Sequence, residues 1–180
     1  MGYAVRHRAR IARLALMNTA AFALPAGKTL PWSLRLCRTP LLGAIAARGL
    51  NLFCRGALRD CLKTTRMSSA DQDTLIAPYD SWATRIAVHR FVQDIPLHPR
   101  DPSYACMKLI ERDLSKFIDC PTQIFWGGKD FVFDDDFLAK WQTILPQAVV
   151  HRFAEAGHYV LEDAPEQIIA LLETFLTCEK

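Results

Sequence analysis

Two short apolar runs in the second half of the chain, residues 122–126 and 148–153, each lead into a glycine-containing loop that presents a polar residue. Runs this short, rich in β-branched and aromatic side chains, predict buried strands. Between them, residues 134–145 carry helical spacing and are closed by Pro146. A strand–helix–strand order predicts parallel pairing. Asp163-Ala164-Pro165-Glu166 then has the form of a helix start: aspartate as cap, glutamate three positions on, proline in the first turn. Ile168, Leu171, Leu172 and Phe175 form the expected buried face of that last helix.

The pattern from residue 30 to about residue 113 is different. Helical spacing recurs without strand alternation, and prolines and glycines cut it into short pieces. Leu41 with Ile45, and Leu42 with Ala46, sit four apart as a packed helix requires. Ser81 is a candidate N-cap before Trp82, Ile86 and His89, in a helix that must stop before Pro96. Asp101-Pro102 is a second start signal, ahead of a stripe of Tyr104, Met107 and Ile110 that ends near Leu114. This region predicts a bundle of short helices inserted between strands, with the character of a lid.

At the start, residues 1–10 predict a helix, 14–17 a buried strand and 18–22 a strand-end loop. Residues 1–26 also imitate a cleavable targeting segment, with arginines, an apolar stretch and small residues. Asn18 and Thr19 interrupt that stretch and Pro25 falls beside the candidate cleavage site, which favours the helix–strand reading.

Composition narrows the class. With 180 residues, 51% hydrophobic and 23% charged, the chain can form one soluble globular domain. No apolar run approaches the roughly 20 residues that span a bilayer, so stable membrane insertion is not expected. Residues 1–59 hold ten Lys or Arg and no acid, whereas residues 60–180 hold twelve and all nineteen acids. The arginine-rich start (Arg6, Arg8, Arg10, Arg13) lacks interleaved aromatics and a DNA-reading motif, which argues against a nucleic-acid partner. Six irregularly spaced cysteines without a CxxC read as reduced, mostly buried thiols of a cytoplasmic protein. No phosphate-binding loop or metal-ligand spacing occurs, so no cofactor and no metal is expected.

The chemistry gathers at the two strand ends. Asp130 follows the double glycine Gly127-Gly128, and His158 follows Gly157, 28 positions later. A carboxylate and an imidazole at the same ends of neighbouring parallel strands can meet as an orienting acid and a general base. Taken singly, His158 could be a surface histidine or one satisfied by a carbonyl. Asp134, Asp135 and Asp136 compete for the acid role, but they open a helix, where carboxylates meet free N–H groups. Glu155 reads as a solvated loop residue. Tyr79, Trp82 and Tyr104 could line a substrate pocket, although aromatics at helical spacing more commonly form core.

FWGGKD followed by AGHYVLEDAPE resembles the last third of an α/β-hydrolase. PYDSWATRIAVHRFVQDIPLHP resembles the cap of the haloalkane dehalogenase branch, which includes β-lactone-cleaving relatives of olefin biosynthesis. MGYAVRHRARIARLALMNTAAF resembles the helix and strand that follow the nucleophile elbow there. The resemblance implies an α/β fold, the C-terminal part of an α/β-hydrolase with parallel strands, flanking helices and a helical cap insertion. Residues 1–29 would be core helix and strand, 30–115 the cap, and 116–180 the C-terminal core.

The resemblance also implies that Asp130 is the triad acid and His158 the triad base. The elbow, with an aspartate nucleophile in this branch, would precede Met1, and its oxyanion-hole loop would lie further upstream. No G-x-S-x-G serine elbow replaces them. The implied reaction is attack by that aspartate to give an ester, which water activated by His158 hydrolyses. The expectation is therefore a truncated hydrolase, inactive alone, whose full-length form acts on a small apolar molecule: haloalkane, epoxide, β-lactone or ester. The alternative is a catalytically inactive binding or interaction protein on the same scaffold. A sheet without its early strands also predicts an exposed apolar edge and non-specific self-association.

Overall fold

Residues 122–127 are buried at nearly every position, as expected of a strand covered on both faces. The computed structural model describes residues 1–177. In it β1 (Leu14–Met17), β2 (Thr122–Gly127) and β3 (Val149–Phe153) form a parallel sheet with β2 in the middle. Leu16 registers with Ile124, Ile124 with Val150, and Gly127 with Phe153, so β2 and β3 finish level. Among the described residues β1 and β3 are the outer strands.

The helices, in order, are α1 (Gly2–Arg6), α2 (Trp32–Arg38), α3 (Pro40–Ala44), α4 (Leu52–Asp60), α5 (Ser69–Ile76), α6 (Ile86–Gln93), α7 (Tyr104–Asp113), α8 (Asp135–Ile144), α9 (Val160–Asp163) and α10 (Pro165–Thr177). Helices α2 to α6 form the insertion between β1 and the elements that return to β2. One face of the sheet, with Leu16, Ile124 and Trp126, packs on Ala4 of α1 and on Phe137 and Trp141 of α8. The other face places Phe125 against Val160 of α9 and Ile168 of α10. Trp141 anchors the first layer: its Nε1 donates to the Thr19 carbonyl at 2.8 Å and its ring meets Phe22 edge-on. Burying each such side chain contributes about 1.5–3 kcal/mol.

Several expectations shift. Helix α7 packs with the sheet layer. Its Ile110 packs against the first core cluster and its Glu111 pairs with Lys140 of α8 at 2.8 Å. The leucines at 41 and 42 and Ile45 are exposed, not packed. Helix α3 and its wider π-type continuation (Ile45–Gly49) approach α2 through small residues instead: a side chain at Gly43 would sit 2.3 Å from the Cys37 carbonyl oxygen, and Ala46 and Ala47 are buried.

Ser81 opens a turn, not a helix. Its hydroxyl accepts from the Thr84 amide, and Arg85 binds the Tyr79, Asp80 and Arg48 carbonyls, so α6 begins only at Ile86. Asp101 accepts from the Leu97 and His98 amides, tying down the preceding loop, and α7 starts three residues later. Asp163 does not cap α10; its carboxylate accepts from the amides of residues 63–65 and 157.

Cys37, Cys61 and Cys120 are buried free thiols, Cys54 is half-buried and Cys106 is exposed; Cys178 lies outside the described residues. Among the described residues no single helix is long and apolar enough to cross a membrane. One bent pair, Pro40–Gly49 with Leu52–Asp60, passes that test of length and composition only when the two are joined.

Candidate active site

The two loops that carry Asp130 and His158 touch through glycine. A Cβ on Gly127, at the end of β2, would lie 2.1 Å from the Gly157 carbonyl oxygen, a distance no real side chain tolerates. A Cβ on Gly157 would lie 2.4 Å from the Cys61 carbonyl oxygen. Both positions therefore need glycine because backbones pass too closely for any side chain. The Gly128 amide donates to the Phe153 carbonyl at 2.8 Å and the Lys129 amide to the Ala156 carbonyl at 2.9 Å, continuing the β2–β3 pairing into the loops.

This contact brings His158 Nδ1 to 2.7 Å from Asp130 Oδ2. Asp130 is buried, so its oxygens need protein partners, and it has them. Oδ1 accepts from the Val132 amide at 2.7 Å, and Oδ2 accepts from Asn18 Nδ2 at 2.8 Å. A carboxylate only accepts, so it selects the tautomer with the proton on Nδ1 and leaves the Nε2 lone pair free to accept a proton. Phe133 and Tyr159 flank the ring at centroid separations of 5.6 and 5.8 Å.

Asn18 is a residue that spacing alone did not single out. It follows β1 directly, is buried, and adopts a left-handed backbone with φ of 28°. Asparagine tolerates that conformation better than other non-glycine residues. Its Oδ1 accepts from the Gly127 amide at 2.7 Å while its Nδ2 serves Asp130, so one amide ties β1 to the acid. Replacing Asn18 with alanine strands the Gly127 N–H and removes a donor from Asp130. A loss of about 1–3 kcal/mol is expected in urea unfolding; an unchanged midpoint and slope would contradict the assigned network.

The neighbouring acids are occupied elsewhere. Asp134 accepts from the Asp136 amide at 3.1 Å, capping α8, and also pairs with Lys28. Asp136 pairs with Lys28 at 2.6 Å, and these bonds to Asp134 and Asp136 hold the lysine up at about 12. Asp135 binds Arg152 at 2.8 Å, and the exposed Glu155 pairs with Lys129.

Above the pair lies a cavity of about 560 Å³, whose lining includes Phe53, Cys54, Ala57 and Leu58 of α4 with His158 and Tyr159. Tyr79 joins this lining; Trp82 and Tyr104 do not. Trp82 faces outward, half-exposed, with the Arg48 guanidinium 4.3 Å over its ring, and Tyr104 opens α7 in the sheet layer. Burial pushes the Cys61 thiol up to about 12, with the Asp130 charge adding to it, and burial also raises Cys54, an effect the Arg85 charge opposes. Both thiols stay neutral near pH 7, so neither is an activated nucleophile.

A family model described as alpha/beta hydrolase fold matches residues 2–165. A cis-3-alkyl-4-alkyloxetan-2-one decarboxylase of Shewanella oneidensis is 48% identical over 177 residues, covering 98% of this chain and 56% of that protein. One of the same name from Xanthomonas campestris pv. campestris is 41% identical over 175 residues, 97% of this chain and 58% of its own length. The chain thus spans a little over half the length of these curated relatives. Among solved structures, haloalkane dehalogenase DatA from Agrobacterium tumefaciens C58 superposes with a TM-score of 0.81 at 19% identity, over 98% of this chain and 61% of that one. Haloalkane dehalogenase DbeA from Bradyrhizobium elkani USDA94 gives 0.78 at 19% identity, over 99% and 64%. At such identity the likeness is one of fold.

Proposed function

The chain belongs to the α/β-hydrolase fold family, and from that premise we propose that Asp130 and His158 are the acid and base of a nucleophile–base–acid site. The observation that carries this reading is the 2.7 Å contact of His158 Nδ1 with the buried Asp130 carboxylate, beneath an apolar cavity. In the proposed reaction the substrate is an oxetan-2-one, a strained four-membered lactone, bearing alkyl chains. The names of the two relatives support that class, and an apolar lining suits alkyl groups.

Loss of carbon dioxide from the ring leaves its two remaining carbons joined as an alkene, with no net uptake of water. Hydrolysis instead adds one water and gives a 3-hydroxy acid. His158 serves either course by holding or moving a proton at Nε2, with Asp130 fixing the tautomer. The nucleophile is proposed to come from sequence outside these 180 residues, because they contain no strand-turn-helix elbow motif, and the thiols of Cys54 in the cavity lining and of buried Cys61 are held neutral.

The missing elbow also favours a second reading, a binding protein that holds such a molecule without turnover. The two are separated by joining the chain to the portion of the 48%-identical relative that it does not match, and supplying a dialkyl oxetan-2-one. Carbon dioxide and alkene in equal amounts are expected from the joined protein and neither from the 180-residue chain. A 3-hydroxy acid as the product would make the site hydrolytic. A folded joined protein that binds the lactone without converting it would favour the binding reading.

A further inference from the structure

We infer that Asp163 is a positioning residue for His158, binding the loop that carries the imidazole and the turn that follows α4 into one unit. Its Oδ2 accepts from the Gly157 amide at 2.7 Å. The same carboxylate accepts from three consecutive amides of that turn: Lys63 at 3.0 Å, Thr64 at 2.9 Å and Thr65 at 3.1 Å. The Thr64 hydroxyl adds a further bond at 2.9 Å. Burial alone would raise this carboxyl, but the amides of Gly157, Thr64, Thr65 and Lys63 outweigh it and hold the group below its usual range.

A second contact completes the bracket. The Tyr159 amide donates to the Cys61 carbonyl at 3.0 Å, so the residues before and after His158 are both tied to positions 61–65. Those positions directly follow α4, whose Phe53, Cys54, Ala57 and Leu58 line the cavity. The imidazole and one wall of the space above it therefore share a single carboxylate. Displacing that wall moves the base as well.

The positioning role rests on the reading of His158 as the base, but its test reads geometry alone. Failure of the test leaves the base assignment standing, and failure of that assignment leaves the clamp standing. The test uses the 180-residue chain and follows hydrogen exchange at residues 61–65 and 157–159, together with the Nδ1–H proton of His158 by ¹H–¹⁵N NMR. Asp163→Asn keeps the shape but removes the charge and one acceptor. Exchange at both segments is expected to rise together by roughly tenfold or more, as loss of a charge-assisted bond implies. The Nδ1–H signal should broaden or disappear with them.

Asp135→Asn, which breaks an exposed pair with Arg152, should leave all of these unchanged. Faster exchange at 61–65 with an unaltered Nδ1–H signal would overturn the proposal, because Asp163 would then hold only the turn. Should Asp163→Asn not fold, Thr64→Val retains the carboxylate and removes the hydroxyl bond. It should produce smaller changes at the same two segments, and changes confined to residues 63–65 would equally overturn the proposal.

Discussion

Asp130→Asn, introduced into the joined protein, is expected to lower kcat roughly 10²–10⁴-fold while leaving KM little changed. The geometry gives the asparagine no good orientation. Its oxygen can face the Val132 amide, which puts its NH₂ against Asn18 Nδ2 and the imidazole. Alternatively its oxygen faces Asn18, which puts the NH₂ against the Val132 N–H. Asn18 cannot turn to help, because its own oxygen is held by the Gly127 amide. The first orientation drives the imidazole proton onto Nε2 and removes the base. The second leaves two donors facing one another at a cost of about 1–3 kcal/mol. Steady-state kinetics with urea unfolding on the same sample checks both effects. Parental kcat would show that Asp130 does not set the tautomer.

Gly127→Ala is expected to damage the fold and the site together. A methyl group there would meet the Gly157 oxygen at 2.1 Å and the Ala156 oxygen at 2.9 Å, both backbone atoms with no rotamer to change. Gly127 has no left-handed φ, so the effect is purely one of volume. Relief requires the loop before His158 to retreat, which lengthens the contact to Asp130. Overpacking of this kind costs about 1–3 kcal/mol, or several degrees of Tm in a chain this long, at about 2–4 °C per kcal/mol. A misplacement of about 1 Å at a reacting group can cost on the order of 10²-fold in rate. Gly56→Ala is the control: no atom lies within 4 Å of its Cβ position in α4, so stability should hold or rise by up to about 1 kcal/mol. Equal melting temperatures for the two variants would show that β2 and the His158 loop are not in contact.

What could be seen in the sequence was what depends on local pattern. The three strands lie where short apolar runs put them, and Asp130 and His158 sit in the loops after β2 and β3, which leave the sheet level because Gly127 registers with Phe153. What could not be seen depends on tertiary partners. Asn18 looked like a loop residue, and only folding buries it against Asp130. Asp163 has the sequence form of a helix cap, yet amides a hundred positions away compete for its carboxylate and win it. The spacing of Leu41, Leu42 and Ile45 marks an apolar face correctly, but spacing does not say which face a helix packs, and here Gly43, Ala46 and Ala47 do so. Trp82 fits a helical stripe by position, whereas Arg85 holds its segment in a turn that points the ring outward.

The proposal that His158 is the base is tested most directly by the intact mass of the joined protein with His158→Ala, mixed with a dialkyl oxetan-2-one. If His158 completes a reaction begun by a separate nucleophile, the variant should retain one whole substrate in covalent linkage, because opening a lactone expels no leaving group. Turnover should fall roughly 10²–10⁴-fold at the same time. An unmodified mass with turnover within about twofold of the parent, a difference worth only about 0.4 kcal/mol in barrier, would contradict the assignment of His158 as the base.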